Sequence, residues 1–308
     1  MRAIVLGSAA GGGFPQWNCG CANCARAWRG DPGAIPRTQS ALAVTADERR
    51  WLLLNASPDL RQQILAAPAL HPRTAPRGSP IAVVAVTNAD VDHLAGLLTL
   101  REGQPLALYG TARAHAAVDG SPVFEVLDRA MVPRRELPLE STISVRDAEG
   151  AETGLWLTAF AVPGKVARYL ETGEDRVALA GSPGDTIGLV VADGAGRRMV
   201  YIPGCAAVDA AVTARAAGAE ALFFDGTLYH DDELIRAGLG EKTGARMGHV
   251  PVAGPGGSMA GLAELDVGRR VYVHVNNSNP MICADTPERA EVEAAGWTVA
   301  FDGLEVSA

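Results

Sequence analysis

Short apolar runs punctuate the chain, and their length is the strongest constraint on what it can fold into. Ala3–Leu6, Ala41–Thr45, Trp51–Leu54, Ile81–Val86, Leu106–Tyr109, Ile143–Val145 and Leu155–Val162 come first. Ile187–Ala192, Met199–Ile202, Ala221–Phe224, Val271–Val275 and Trp297–Phe301 follow. Runs this short, rich in branched side chains, suit β-strands rather than helices. Helical spacing lies between some of them: Pro58–Leu65, behind Ser57 as N-cap and with proline at the first helical position, then Asp92–Leu100, Ala206–Ala217, Asp231–Ala237 and Pro287–Ala295. Strands come in series with helices between the series. That favours packed β-sheets covered by helices, an α/β fold in the wider α+β sense, over a simple doubly wound sheet. The Pro/Gly-rich stretch Pro68–Pro80 reads as a surface loop, because strand signals resume at once, and no internal repeat is visible. One domain over residues 1–308 is expected.

Charge narrows the function. A net charge of −8 with no local basic cluster argues against a nucleic-acid partner. The first apolar run is too short for a signal peptide, and no run is long enough to span a bilayer. Five cysteines, three of them within six residues of one another, fit metal ligation in a reducing compartment better than a disulfide framework. A cytoplasmic protein is expected.

The segment GFPQWNCGCANCARAW sets Cys19, Cys21 and Cys24 in a C-x-C-x-x-C turn, within a cysteine-rich loop at residues 14–28. Three thiolates at this spacing can converge on one tetrahedral ion, and structural zinc is the expected occupant, with its fourth ligand open. A redox C-x-x-C is the weaker reading, since the motif does not open a helix after a thioredoxin-like strand. Upstream, GSAAGGG imitates a dinucleotide fingerprint, but Phe14–Pro15 interrupts the helix that should follow and no Tyr-x-x-x-Lys occurs. Those glycines are expected to let a loop turn closely over the site.

Polar residues gather just past the ends of apolar runs: Asn55, Asn88 to His93, Cys205, Asp225, and His274 with Asn276 and Asn277. Strand ends opening on one rim are where such folds collect their chemistry. After Ile81–Val86 the residues Asn88, Asp90, Asp92 and His93 precede an apolar helix-like pattern. This resembles the H-x-H-x-D-H loop of metallo-β-lactamase-fold enzymes, with Asn88 and Asp90 in place of the two alternate histidines. FFDGTLYHDDE, MGHV and YVHVNNSNP follow in the order of that fold's later motifs. The resemblance implies a four-layer αββα sandwich of two mixed sheets flanked by helices.

The match extends further. LGSAAGGGFPQWNCGCANC, LNASPDLRQQI, TNADVDHLAGLL, YIPGC, FFDGTLYHDDE, RMGHVPV and HVNNSNP together resemble the family of coenzyme PQQ (pyrroloquinoline quinone) synthesis protein B, across nearly the full chain. A cyclic phosphodiesterase of phosphonate breakdown combines the same fold with a Cys3His zinc site. Its histidine falls on the segment of His230, so the resemblance implies Cys19, Cys21, Cys24 and His230 as a structural zinc set.

A two-metal hydrolase of this fold leans on the alternate histidines and on a bridging aspartate, where this chain has Asn88, Asp90 and Cys205. What survives is Asp92, His93 and His274. Two histidines and one carboxylate are the ligand set of non-haem Fe(II) oxygenases, although zinc binds the same groups. The family implies Fe2+ and O2, hydroxylating the tyrosine-derived ring of a Glu–Tyr cross-linked PQQ precursor. Asp90 and Asp225 are then supporting carboxylates and His249 a general acid/base. Asn276 and Asn277 either hold substrate or satisfy a turn, and Arg61 is a candidate carboxylate partner. A phosphodiesterase-like hydrolase, and a non-catalytic carrier that binds PQQ and assists its transport, are the competing readings.

Overall fold

The structure, a computed structural model, describes residues 1–74, 76–171 and 181–308. Two seven-stranded sheets carry it. The first holds β1 (Arg2–Gly7), β2 (Ala41–Thr45), β3 (Trp51–Leu54), β4 (Ile81–Ala85), β5 (Ala107–Gly110) and β6 (Arg134–Glu136) in sequential order. The second holds β7 (Thr142–Arg146), β8 (Glu152–Ala161), β9 (Ile187–Asp193), β10 (Arg198–Ile202), β11 (Ala219–Asp225), β12 (Val267–Val273) and β13 (Trp297–Val299). The last strand, β14 (Glu305–Ser307), returns to pair antiparallel with β1.

Each sheet changes from antiparallel to parallel partway across. Pairing is antiparallel through β14-β1-β2-β3 and parallel through β3-β4-β5-β6. The second sheet repeats the scheme, antiparallel through β7-β8-β9-β10 and parallel through β10-β11-β12-β13. The sequence shows no repeat, yet the two halves share one topology.

Three apolar layers explain why the strands read as near-continuous hydrophobic runs. Leu42, Leu52, Leu54 and Val83 face Leu157, Leu189, Tyr201 and Phe223 between the sheets. On the outer face of the first sheet, Leu53, Val84 and Leu108 pack against Leu60, Ala114 and Val118 of helices. Leu222, Phe224 and Tyr272 do the same on the second sheet with Val212, Leu262 and Val292. This is the αββα layering that the sequence resemblance implied. No helix among the described residues is long and apolar enough to cross a membrane.

Each of the twelve apolar runs falls on a strand, although runs such as Val271–Val275 and Trp297–Phe301 outlast theirs by two residues. β6 and β14 escape that criterion because each has three residues and a largely polar sequence, as edge strands often do. The expected cap at Ser57 is corrected: the helix covers Leu60–Ala66 behind Asp59, and the Ser57 hydroxyl donates to Gln63 Oε1 at 3.1 Å instead. Of the Pro68–Pro80 loop, Ala75 lies outside the described residues. The helix expected over Asp92–Leu100 is one α-turn, Val91–Leu94, continued as 3-10 helix over Ala95–Leu100. A Cβ on Gly96 would lie 2.1 Å from the Ser57 carbonyl, so only glycine lets this helix close on the end of β3.

Candidate metal centres

The C-terminal ends of β4, β10, β11 and β12 open on one rim, and loops from both sheets meet there. Asn55, at the end of β3, takes φ +65, which asparagine tolerates, and its amide grips Thr87 through the Thr87 N–H (2.9 Å) and hydroxyl. That fixes the start of the Asn88–His93 loop. On the opposite sheet His274 takes φ +58, an uncommon conformation for a non-glycine residue. Backbone bonds from Val275 N to Ser8 O and from Asn276 N to Thr227 O hold the turn in place. Such outliers persist where the surroundings over-determine them, most often at functional sites.

Asp92, His93 and His274 offer ligand atoms all within 4.8 Å of one another. His274 Nε2 lies 3.1 Å from Asp92 Oδ2. His93 Nε2 is buried and has no hydrogen-bond partner, while its Nδ1 lies 2.7 Å from Asn88 Oδ1. The amide oxygen can only accept, so Nδ1 carries the proton and Nε2 presents a bare lone pair to Asp92 and His274. An orphaned lone pair beside a carboxylate and a second imidazole is the donor set a divalent cation completes. Asn88 therefore orients the His93 ring and is not itself part of the donor group. Burial would raise Asp92, but its two imidazole neighbours, His93 and the hydrogen-bonded His274, hold it well below the usual carboxylate range. Burial lowers His93, and Asp92 offsets only part of that. For His274 burial also lowers, but the bond to Asp92 and the surrounding carboxylates win and raise it.

Asp225 is fully buried and accepts from Cys205 N (2.9 Å), Thr227 N (3.0 Å) and the Thr227 hydroxyl (2.6 Å). Its Oδ2 also lies 2.7 Å from His249 Nδ1. The Thr227 hydroxyl, 2.8 Å from His274 Nδ1, gives its proton to Asp225 and so receives the His274 Nδ1–H. With Nδ1 so engaged, Nε2 is the nitrogen that His274 turns to Asp92. Asp225, His249 and His274 form a second close group of donors sharing His274 with the first. Burial would raise Asp225, yet His249, His274 and Thr227 hold it below its ordinary value.

Asn88, Asp90 and Cys205, the residues that stand in place of the fold's usual ligands, find partners within the protein. Asp90 is outside the ligand group; it accepts from Asn88 Nδ2 at 3.1 Å and lies 3.9 Å from Lys165 Nζ. The Cys205 thiol turns away to the Ala207 carbonyl at 3.0 Å, and burial pushes it up to about 12, so it stays neutral. The glycine loop behaves as expected: a Cβ on Gly11 would lie 3.3 Å from Asp92 Oδ2.

Cys19, Cys21 and Cys24 also converge within 4.8 Å, at the start of the helix Ala22–Trp28. His230 does not join them: it is exposed, with its ring packed edge-on against Tyr229 at 4.9 Å. Asn277 lies over the cysteines instead, its amide nitrogen 3.2, 3.8 and 3.3 Å from the sulfurs of Cys19, Cys21 and Cys24. Turning the amide over would aim its oxygen at the same point. Burial pushes Cys24 up to about 12, the kind of thiol that a bound zinc ion deprotonates.

A cavity of about 330 Å³ covers the rim, and its lining includes Asp90, Asp92, His93, His249 and His274 together with Lys165, Arg168, Glu171, Lys242 and Arg246. Sequence reasoning missed Thr227, the role of Asn277 and the four cations. Thr227 and Asn277 lay inside quoted motifs, but the cations come from separate loops and carry no motif. Arg61 is exposed and does not line the cavity.

The family model described as a beta-lactamase superfamily domain matches residues 50–275. The chain is 53% identical over 304 residues to coenzyme PQQ synthesis protein B of Methylobacterium nodulans, covering 99% of each. The corresponding protein of Gluconacetobacter diazotrophicus is 51% identical over 304 residues, with 99% of this chain and 98% of that one covered. Among solved structures, zinc-bound PqqB from Methylobacterium extorquens superposes with a TM-score of 0.94 at 52% identity over all of both chains. A diphosphatase of the PhnP family shares the fold alone, with a TM-score of 0.67 at 19% identity over 100% of this chain and 97% of that one. The rim motifs, the cysteine cluster and the full-length matches agree: the chain belongs to the coenzyme PQQ synthesis protein B family of the beta-lactamase superfamily.

Proposed function

We propose that the chain is an iron- and O2-dependent hydroxylase acting on the tyrosine-derived ring of a Glu–Tyr cross-linked PQQ precursor. The observation that carries this reading is the ligand face of Asp92, His93 and His274, on which the buried His93 Nε2 has no hydrogen-bond partner, beside an Asp90 that is paired with Asn88 and faces Lys165. These two imidazoles and one carboxylate would hold an Fe(II) ion, which would supply the activation of O2.

The chain's own groups do the rest. Asn88 and Thr227 fix the tautomers of His93 and His274, so both Nε2 atoms face one point. His249, held through Nδ1 by the buried Asp225 carboxylate, accepts the proton that a phenol or ring carbon must lose. Asp225 stabilises the resulting imidazolium. Cys19, Cys21 and Cys24, with Asn277 as the proposed fourth ligand in place of His230, hold a structural zinc ion.

The test incubates iron-loaded protein with the cross-linked amino acid and a two-electron reductant, first without O2 and then with it. The reading expects the product to gain one oxygen atom only after O2 is admitted, the second oxygen atom leaving as water. Untouched substrate with no O2 consumed overturns it. Turnover by the zinc-loaded protein without O2 would mark a hydrolase instead.

A further inference from the structure

Glu233 is a buried carboxylate that the ring chemistry does not use. It opens the short helix Glu233–Arg236, whose Leu234 lines the rim cavity, and it is only 7% exposed. Burial raises its carboxyl, while the Ser278 hydroxyl and the Tyr229 and His230 amides pull the other way. Its Oε2 accepts the Tyr229 N–H at 2.8 Å, and its Oε1 meets the Ser278 hydroxyl. A carboxylate ringed by donors accepts, so Ser278 gives its single proton to Glu233.

That decides how Asn276 stands. Its amide lies 2.6 Å from Ser278 Oγ, which has only lone pairs left to offer, so the amide nitrogen must face Ser278. The amide oxygen points the other way, and no group among the described residues donates to it. Asn276 lines the rim cavity, and the oxygen is what it offers there. The backbone beneath is pinned. Asn276 N donates to the Thr227 carbonyl and Asn279 N to the Asn276 carbonyl, both at 3.0 Å, and Asn279 Nδ2 holds Gly226 O at 2.9 Å.

We propose that Glu233 is a positioning residue which, through Ser278, holds the Asn276 amide with its oxygen toward the cavity. The rim then reads a hydrogen-bond donor on its ligand at this point, a ring hydroxyl or a protonated amine. The proposal deepens the hydroxylase reading and rests on it for the ring chemistry, but the donor preference is a property of binding alone. An isosteric amide at position 233 reverses the relay. In Glu233→Gln the new amide oxygen takes the fixed Tyr229 N–H, and the new amide nitrogen donates to Ser278 Oγ. The Ser278 proton then turns to Asn276, whose amide turns over and offers its nitrogen to the cavity.

Calorimetric titration of the zinc-loaded full chain with L-tyrosine, N,N,N-trimethyl-L-tyrosine and O-methyl-L-tyrosine tests it, on the wild type, Glu233→Gln and Ser278→Ala. The wild type should bind tyrosine about 3- to 10-fold tighter than one of the methylated forms, as loss of one hydrogen bond requires. The form that loses affinity tells whether the nitrogen or the ring hydroxyl is the donor. Both variants should lose that preference while their metal contents stay at the wild-type level; Ser278→Ala decides alone if Glu233→Gln does not fold. A preference that survives in the variants is steric and overturns the proposal. Equal affinity of the wild type for all three, or no binding of tyrosine, also overturns it. A protein that shows the expected pattern but consumes no O2 with the precursor keeps this inference and loses the hydroxylase. One that hydroxylates the precursor yet binds all three alike keeps the hydroxylase and loses this inference.

Discussion

His274 and Asp92 are separated by 182 residues, and their side chains meet at 3.1 Å between Nε2 and Oδ2. Asp92 and His93 follow β4 of the first sheet, and His274 follows β12 of the second. Neither sheet owns the site. It is assembled only when the two sheets pack, which makes the rim a reporter of the interface between them.

Loss of either half should therefore empty the rim without touching the cysteine centre. His274→Ala is expected to remove the rim metal while the thiolate-bound zinc stays, read by metal analysis of the purified protein. Asn88→Ala keeps all three ligands but frees the His93 ring, and should weaken rim-metal affinity about 10- to 100-fold, as loss of an orienting partner does.

Asn277 and His230 make opposite predictions for the zinc. Asn277→Ala should lower zinc affinity about 10- to 100-fold in a chelator competition, whereas His230→Ala should leave it unchanged. The same loop carries His274, and Asn23 Nδ2 sits 3.1 Å from the carbonyls of Asn277, Ser278 and Asn279. Stripping the zinc should consequently weaken the rim site as well.

Much of this was legible in the sequence, and the reasons differ by residue. Strands such as Trp51–Leu54 announce themselves because both faces are buried. Asp92, His93 and His274 were found because each follows a strand in a fixed motif order. Asn277 was misjudged because an asparagine before a proline turn reads as turn chemistry, and only tertiary contact shows it over three sulfurs. His230 was drawn in by a relative's pattern, but its ring ends on the surface beside Tyr229. Lys165 carried no signal, since a lysine after Pro-Gly is ordinary until the fold sets it beside Asp90.

Gly96 should tolerate no side chain. Gly96→Ala drives a Cβ to 2.1 Å from the Ser57 carbonyl, and the helix bearing His93 must shift. A loss of about 1–3 kcal/mol in unfolding free energy is expected from overpacking of this kind, together with weaker rim-metal binding. Denaturant titration of the metal-free and metal-loaded forms separates the two effects.

Asp193 supplies an acid limb to stability. Burial would raise its carboxyl, but Arg197 and the Ala195 and Arg197 amides hold it below the usual range. Its folded value being depressed, the stabilisation is complete above the unfolded carboxylate value of about 3.9 and disappears as pH falls through the folded one. Asp193→Asn should cost about 1–3 kcal/mol at neutral pH and flatten the fall of Tm in acid.

Anomalous diffraction at the iron and zinc edges, from crystals of protein purified without added metal and loaded with iron without O2, tests the account most directly. It should show one iron bounded by Asp92, His93 and His274, and one zinc among Cys19, Cys21, Cys24 and Asn277. Two ions at the rim, with one of them against Asn88 and Asp90, would contradict it.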